Sequence, residues 1–396
     1  MIFIGAIACI ALLYVCSPFP VWKSYFAVFR SVATSREIGR RPKARLIQYL
    51  LSDFAAFPFL SLAWHLDKLV VGRAINQADT APVCLVGQPR SGTTFIHRTL
   101  SNCEHFHSIR HCEMRYPFVW LWKGLRFTGL EPWVHRRDYW PQTDSGALAS
   151  KLHSHKLGDY EEHGIFLEER MYHHFFVFRR FPIPELLRSV LSFVNVTASE
   201  TRRLHRVFED VVYKSKYLNG AMEKPVLLKE NESVEFYEAL YEQQPDARFI
   251  FVVRDPDLSI SSYQSLSVNS THAKTGIDPT ALAGWQEAND LFRLEECEKM
   301  MAFYEKLPEN RKLLVAYERF VGDIEGTTTA ILNWLDLPVN PDFARYLSEL
   351  GQRQITREKG YKNEPHRIDG LDRYKEFVRV AHSASAIMPL EWKTAK

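Results

Sequence analysis

Residues Val83 to Leu100 read Val-Cys-Leu-Val-Gly-Gln-Pro-Arg-Ser-Gly-Thr-Thr-Phe-Ile-His-Arg-Thr-Leu. Val83 to Val86 is a short apolar run in front of Gly87, the pattern of a strand buried in a parallel sheet. Phe95, Ile96, Thr99 and Leu100 then recur at helical spacing. The loop between them can turn its backbone N–H groups toward an anion at the helix N-terminus. The Gly87 to Gly92 spacing matches the phosphate-binding loop G-x-x-x-x-G-K-[ST], but Thr93 stands at the lysine position. The contact that such a lysine makes with the β- and γ-phosphates of a nucleotide triphosphate is therefore missing, and the loop carries Arg90 instead.

The same string resembles the 5′-phosphosulfate loop of sulfotransferases that use 3′-phosphoadenosine 5′-phosphosulfate (PAPS), G-x-P-R-S-G-T-T-x-L, with Ile96 for the final leucine. The resemblance implies that Arg90, Ser91, Gly92, Thr93 and Thr94 hold the donor. A second match lies in Arg248-Phe-Ile-Phe-Val-Val-Arg-Asp-Pro. An apolar strand delivers Arg254 to its carboxyl end, where α/β sheets bind ligands, and Ser262 follows on the first part of a helix. In the family an Arg and a Ser at these places grip the 3′-phosphate, for which guanidinium and hydroxyl donors are suited. A third match, Pro225-Val-Leu-Leu-Lys-Glu-Asn, is similar to the family strand whose lysine approaches the bridging oxygen of the phosphosulfate. This implies that Lys229 stabilises charge on the departing phosphate. Glu230 and Asn231 depart from the family there, where Pro or Thr and His are frequent. Leu313 to Phe320 resembles a later family strand with its Tyr-Glu pair, and Arg357-Glu-Lys-Gly is similar to the loop that closes over the donor in cytosolic members. The resemblance covers Ala81 to Leu337.

A hydroxyl that attacks sulfur loses its proton as the bond forms, and a His or Glu within hydrogen-bond reach can take it. In several membrane-associated and bacterial branches a Glu follows the first helix at about the distance of Glu113. The resemblance therefore implies Glu113 as the base, with His111 and His107 as alternatives. Asp159-Tyr-Glu-Glu-His-Gly resembles the acidic stretch of bacterial-type members, which makes Glu161 and Glu162 acceptor-site candidates. The clusters His105, His107, His111, Cys112 and His153, His155, His163 lack the compact spacing of a structural zinc motif, and sulfuryl transfer needs no metal, so none is expected. Trp120, Trp122, Trp133 and Trp140 lie among Lys123, Arg126, Arg136 and Arg137, a mixture suited to a glycan, a lipid headgroup or a bilayer interface.

A formal charge of +3 over 396 residues does not describe a nucleic-acid binder. Six cysteines without a C-x-x-C pair describe neither a disulfide scaffold nor a redox motif. Met1 to Trp22 has no charged side chain and is just long enough to span a bilayer, so it reads as an uncleaved single-pass anchor. Lys23, Arg30, Arg36, Arg40, Arg41, Lys43 and Arg45 follow it, and the positive-inside rule puts the body on the cytoplasmic side. The Golgi-lumen arrangement common among membrane-anchored eukaryotic sulfotransferases is the opposite one, so the side stays open. Asn195-Val-Thr, Asn231-Glu-Ser and Asn269-Ser-Thr fit the glycosylation triplet. Pro42 and Pro58 read as breaks in the helical pattern of Ser35 to Asn76, and Phe54 to Trp64 as a core or membrane-surface helix beside the anchor.

These readings give an anchor at 1–22, a helical juxtamembrane segment at 23–80 and a catalytic domain at 81–396. The expected fold is α/β, a central and mostly parallel sheet flanked by helices in the P-loop NTPase-like manner of sulfotransferases. The expected activity is transfer from PAPS, a co-substrate needing no metal, to a hydroxyl of a small-molecule, lipid or glycan acceptor. A nucleotide kinase or NTPase, and a catalytically inactive membrane protein that binds adenosine 3′,5′-bisphosphate (PAP), are the alternatives.

Overall fold

The computed structural model describes residues 2–18, 21–71, 80–168, 171, 179–183, 186, 197–355 and 365–383. Strands β1 (Val83–Gly87), β2 (Leu227–Glu230), β3 (Arg248–Val253) and β4 (Lys312–Ala316) form one sheet in the order β2-β1-β3-β4, with every pair parallel. Their apolar runs are buried on both faces, as a parallel sheet covered by helices requires. Alternate residues feed two cores, with Cys84, Val86, Phe249, Phe251 and Leu314 in one. Leu85, Ile250, Val252, Leu313 and Val315 go to the other. The expected α/β architecture is therefore the observed one. The chain runs from β1 to β2 on one side and then crosses to β3 on the other, so the carboxyl ends of the strands flank a topological switch point.

The amino-terminal helices are α1 (Ile2–Val15), α2 (Trp22–Thr34) and α3 (Arg40–Val71). Tyr25, Val28, Val32, Leu50, Phe57 and Trp64 belong to the same core as one face of the sheet. Within Met1–Trp22, the stretch expected as an anchor, α1 covers 14 residues and ends at Val15 ahead of Pro18. Among the described residues one helix, Arg40–Asp67, is long and apolar enough to cross a membrane by length and composition.

Neither expected proline break occurs, because α3 runs unbroken through both residues. Pro42 sits in the first turn, where its missing N–H has no intrahelical partner to lose. Pro58 is interior and cannot donate to Phe54. Tyr14 Oη donates to that Phe54 carbonyl at 3.0 Å and stacks on the Phe54 ring, so α1 supplies the bond that the proline removes.

Candidate active site

The turn after β1 is built around close approaches. Gly87 pairs with Val252, and a Cβ on it would lie 2.5 Å from the Val252 carbonyl oxygen. Gly92 adopts φ +95°, and a Cβ there would lie 2.0 Å from a ring carbon of Tyr317. Helix α4 (Thr93–Leu100) starts at Gly92 with no side-chain cap, so the loop leaves the helix N-terminus open to an anion. Ser91 is fully buried, and its hydroxyl has no hydrogen-bond partner among the described residues. An oxyanion at the loop would answer both features.

Arg90, inside the turn, takes the left-handed conformation at φ 68°. Its Nε donates to Ser262 Oγ at 2.9 Å and its guanidinium donates to the Leu152 carbonyl at 2.9 Å. Arg254, one residue past β3, donates to the Arg90 carbonyl at 3.0 Å and lies over the Tyr317 ring at 4.7 Å. Two stretches 164 residues apart are thereby joined at one point.

A cavity of about 610 Å³ opens over the carboxyl ends of the strands. Arg90, Gly92, Thr93, Thr94, Arg254 and Ser262 line it. Ser91 and Lys229 lie directly behind that wall. Lys229, with its side chain fully buried at the end of β2, donates to Thr94 Oγ1 at 2.8 Å. Its Nζ is 3.2 Å from carboxylate oxygens of both Glu161 and Glu162. Thr93 donates to Asn231 Oδ1 at 2.7 Å, and Asn231 Nδ2 donates to Glu162. The departure at Asn231 thus falls inside the site, and its side chain is held there rather than offered at the surface as a glycosylation acceptor.

Glu161 is the most heavily paired group. Arg98 reaches its Oε1 at 2.6 Å, His153 lies 3.4 Å from the same oxygen, and Lys229 takes Oε2. Burial alone raises its carboxyl, but the charge interactions around it, with Lys229 foremost, outweigh burial and hold it well below the usual carboxylate range. Burial lowers Lys229, and the two carboxylates more than reverse that, so it stays protonated. His155 is pushed well below its ordinary value by burial, is neutral at physiological pH, and presents an unpartnered Nε2. Side-chain atoms of His153, His155 and Glu161 come within 4.8 Å of one another, so Glu161 takes the place of His163 in the cluster seen in the sequence. The Glu161 oxygens in that group already hold two cationic side chains.

The structure does not bring Glu113 to the cavity. The helix His111–Arg115 turns it away, where Ser215 donates to one carboxylate oxygen and Asn219 Nδ2 to the other, the latter at 3.1 Å. Burial raises its carboxyl, an effect those hydrogen bonds only partly offset. His107 bonds the same Ser215 Oγ at 2.9 Å, and burial lowers it to about 4. His111 packs behind the cavity wall on Tyr139 and His155. None of the three lines the cavity.

From the aromatic and basic insertion, Trp140 reaches the cavity together with Tyr139, while Trp120 and Trp133 are exposed. Sequence reasoning did not single out Arg293. Buried in the helix Trp285–Lys306, it donates to Gln88 of the loop and to Glu232 after β2, tying both to one helix. Nothing local marked it, because a single Arg in a long helix has the appearance of a solvated one. The Arg357-Glu-Lys-Gly stretch, and Asn195 and Val196 of the first glycosylation triplet, lie outside the described residues.

A sequence model described as the sulfotransferase family matches residues 82–341. Among solved structures, the sulfotransferase STF9 of Mycobacterium avium aligns with a TM-score of 0.62 at 15% identity, covering 91% of this chain and 90% of that one. The sulfotransferase STF1 of Mycobacterium tuberculosis H37Rv aligns with a TM-score of 0.58, also at 15% identity, covering 85% and 92%. At that identity the likeness is one of fold. No curated protein sequence matches significantly.

Proposed function

The chain belongs to the sulfotransferase family, and from that premise we propose that it transfers a sulfuryl group from PAPS to an acceptor hydroxyl by in-line displacement. The observation that carries the choice of donor is the joined pair of anion-binding elements, with Arg254 bonded to the Arg90 carbonyl and Arg90 to Ser262. ATP would have no 3′-phosphate to engage that second element. In this reading the loop amides, Ser91, Thr93 and Thr94 hold the 5′-phosphosulfate, while Arg90, Arg254 and Ser262 hold the 3′-phosphate. Lys229, bonded to Thr94 just behind the cavity wall, supplies positive charge toward the oxygen that gains charge as the sulfur–oxygen bond to the 5′-phosphate breaks.

We assign the base to Glu162 in place of Glu113. Glu162 lines the cavity, and its carboxylate is oriented by Lys229 and Asn231. It takes the acceptor proton as the new bond to sulfur forms. Glu161, fully committed to Arg98, His153 and Lys229, is a positioning residue for Lys229. The acceptor is a small-molecule, lipid or glycan hydroxyl entering past Tyr139 and Trp140.

The test is thermal stability of the full chain titrated with PAP, ATP plus magnesium, and adenosine 5′-phosphosulfate, followed by turnover of labelled PAPS. A ligand that binds only the folded state raises its stability with concentration. Stabilisation by PAP alone, with turnover, supports the reading. A response to ATP without one to PAP overturns it in favour of a kinase or NTPase. PAP binding with no turnover on any acceptor class identifies a catalytically inactive PAP-binding protein.

A further inference from the structure

The three amino-terminal helices carry a second surface, remote from the transfer chemistry. One face of α3 is fastened to the catalytic domain. Leu46, Leu50, Phe57, Ser61, Trp64 and Asp67 are buried along it. Asp67 accepts from the backbone N–H groups of Val119 and Trp120 at 3.0 and 3.2 Å and pairs with Lys214 at 3.0 Å. Lys214 in turn lies 3.2 Å over the Trp64 ring, and Asp53 pairs with Arg180 at 2.9 Å. A helix so attached along its length cannot cross a bilayer while the domain stays folded, because the domain's polar groups would enter the hydrocarbon with it.

The opposite face presents Leu51, Ala55, Phe59, Leu62, Leu66 and Leu69, a stripe at steps of three and four residues. The ordering is the reverse of what water selects: Phe59 and Leu69 are 74% and 82% exposed, whereas Ser61 and Asp67 are 0%. An aromatic group of Tyr14, Trp22, Phe26 and Phe54 borders the stripe. Between residues 23 and 45 stand seven Lys and Arg and one acidic residue, Glu37. Arg40, Arg41 and Lys43 crowd the amino-terminal end of α3 against the positive end of its dipole, an arrangement that an anionic surface relieves.

We propose that this layer lies in the plane of an anionic bilayer surface, the outward stripe of α3 resting at the boundary of headgroups and acyl chains, rather than spanning the bilayer as a single-pass anchor. The apolar stripe and its aromatic border supply buried area, and the excess of cations supplies attraction to anionic lipid, the two sources of interfacial binding strength. Arg180, paired with Asp53 of α3, is next to Arg179 on the cavity wall, so the site lies close to the lipid surface.

The test uses the full chain with the exposed Cys9 and Cys16 replaced by Ser and single cysteines placed at Leu51, Phe59, Leu66 or Leu69. Each carries a fluorophore, and its depth is read by shallow and deep quencher lipids. Vesicles are phosphatidylcholine alone or mixed with phosphatidylserine. The expected result is one shared shallow depth at all four positions, with binding that requires phosphatidylserine and weakens with salt. The double variant Phe59→Glu, Leu66→Glu should lower vesicle binding by roughly tenfold or more while leaving the thermal transition in place. A depth that is greatest at Phe59 and shallow at Leu51 and Leu69 would identify a spanning helix and overturn the proposal. So would failure to bind either vesicle combined with a dimer that Phe59→Glu dissociates, which would give the surface to a second copy of the chain.

Discussion

Lys229→Met removes the one cation shared by Glu161 and Glu162 while keeping a side chain of similar length. Lys229 and Glu161 are 0% and 1% exposed at the side chain, so solvent does little to screen the loss. Stripping one partner from a buried ion pair costs about 3–5 kcal/mol, because the remaining charge is left desolvated. Arg98 stays 2.6 Å from Glu161 and softens the loss, which places the expectation near the lower end, about 3 kcal/mol at neutral pH. The pH dependence has a definite direction. In the parent protein the Glu161 carboxyl is held below its unfolded value, so its contribution is present above the unfolded carboxylate pKa, about 4.3, and is lost as pH falls through the folded value. Without Lys229 burial dominates and that carboxyl rises, so the deficit of the variant is largest at neutral pH and shrinks as the medium is acidified. Glu161→Gln added to Lys229→Met should restore most of the loss, since the fully buried carboxylate is then neutral, while Glu162 is partly exposed and Arg98 keeps Asp159. Chemical denaturation across pH measures all three chains. A deficit below about 1 kcal/mol, where exposed pairs fall, or a double variant no better than the single one, would refute the network. Turnover separates from stability: the double variant should refold yet stay about 10²–10³-fold slower, the usual cost of losing one donor to a developing oxyanion.

Glu162→Gln should lower turnover by about 10²-fold or more, the scale of general-base catalysis, with PAP affinity retained; Glu113→Gln should leave turnover within a few-fold, and the opposite pattern in steady-state kinetics would return the base to Glu113. Arg254→Ala should weaken PAP by roughly tenfold or more in calorimetry, the scale of a charge-assisted contact, without changing the KM of the acceptor. Equal loss of both would remove its assignment to the 3′-phosphate. Gly92→Ala must place a side chain in a left-handed conformation against Tyr317, which costs at least about 1–2 kcal/mol of stability and disorders the PAP response in thermal titration. An unaffected response would mean that the loop does not need the close approach.

The elements that could be read in advance are those whose chemistry is local. The strand, turn and helix from Val83 to Leu100, the strand that leads into Arg254 and the strand that carries Lys229 each carry their meaning within about twenty residues, and the sheet brings their ends together. Glu113 failed for the complementary reason. Its distance along the chain from the loop is suitable, but whether its carboxylate faces the cavity depends on one short helix packing against Ser215 and Asn219, about a hundred residues later. Glu161 and Glu162 were visible as an acidic run, yet their different surroundings are set by Arg98, which pairs with Glu161, and by Lys229, which pairs with both. At the amino terminus composition does not reveal facing: in α3 the buried polar Ser61 and Asp67 interrupt the composition without interrupting the outward apolar face.

Arg254, the Arg90 carbonyl, the Arg90 guanidinium and Ser262 form their chain of hydrogen bonds within the protein itself. The loop is therefore preorganised: much of the backbone freedom that a flexible glycine turn would surrender on meeting its donor has been lost at folding. An arginine kept left-handed by tertiary contacts is also a constraint on descent, since Arg90, Arg254 and Ser262 become a unit in which a change at any one unsettles the other two. Sequence drift in this chain has room at the cavity wall around Tyr139 and Trp140 long before it has room at the Arg90, Arg254 and Ser262 unit.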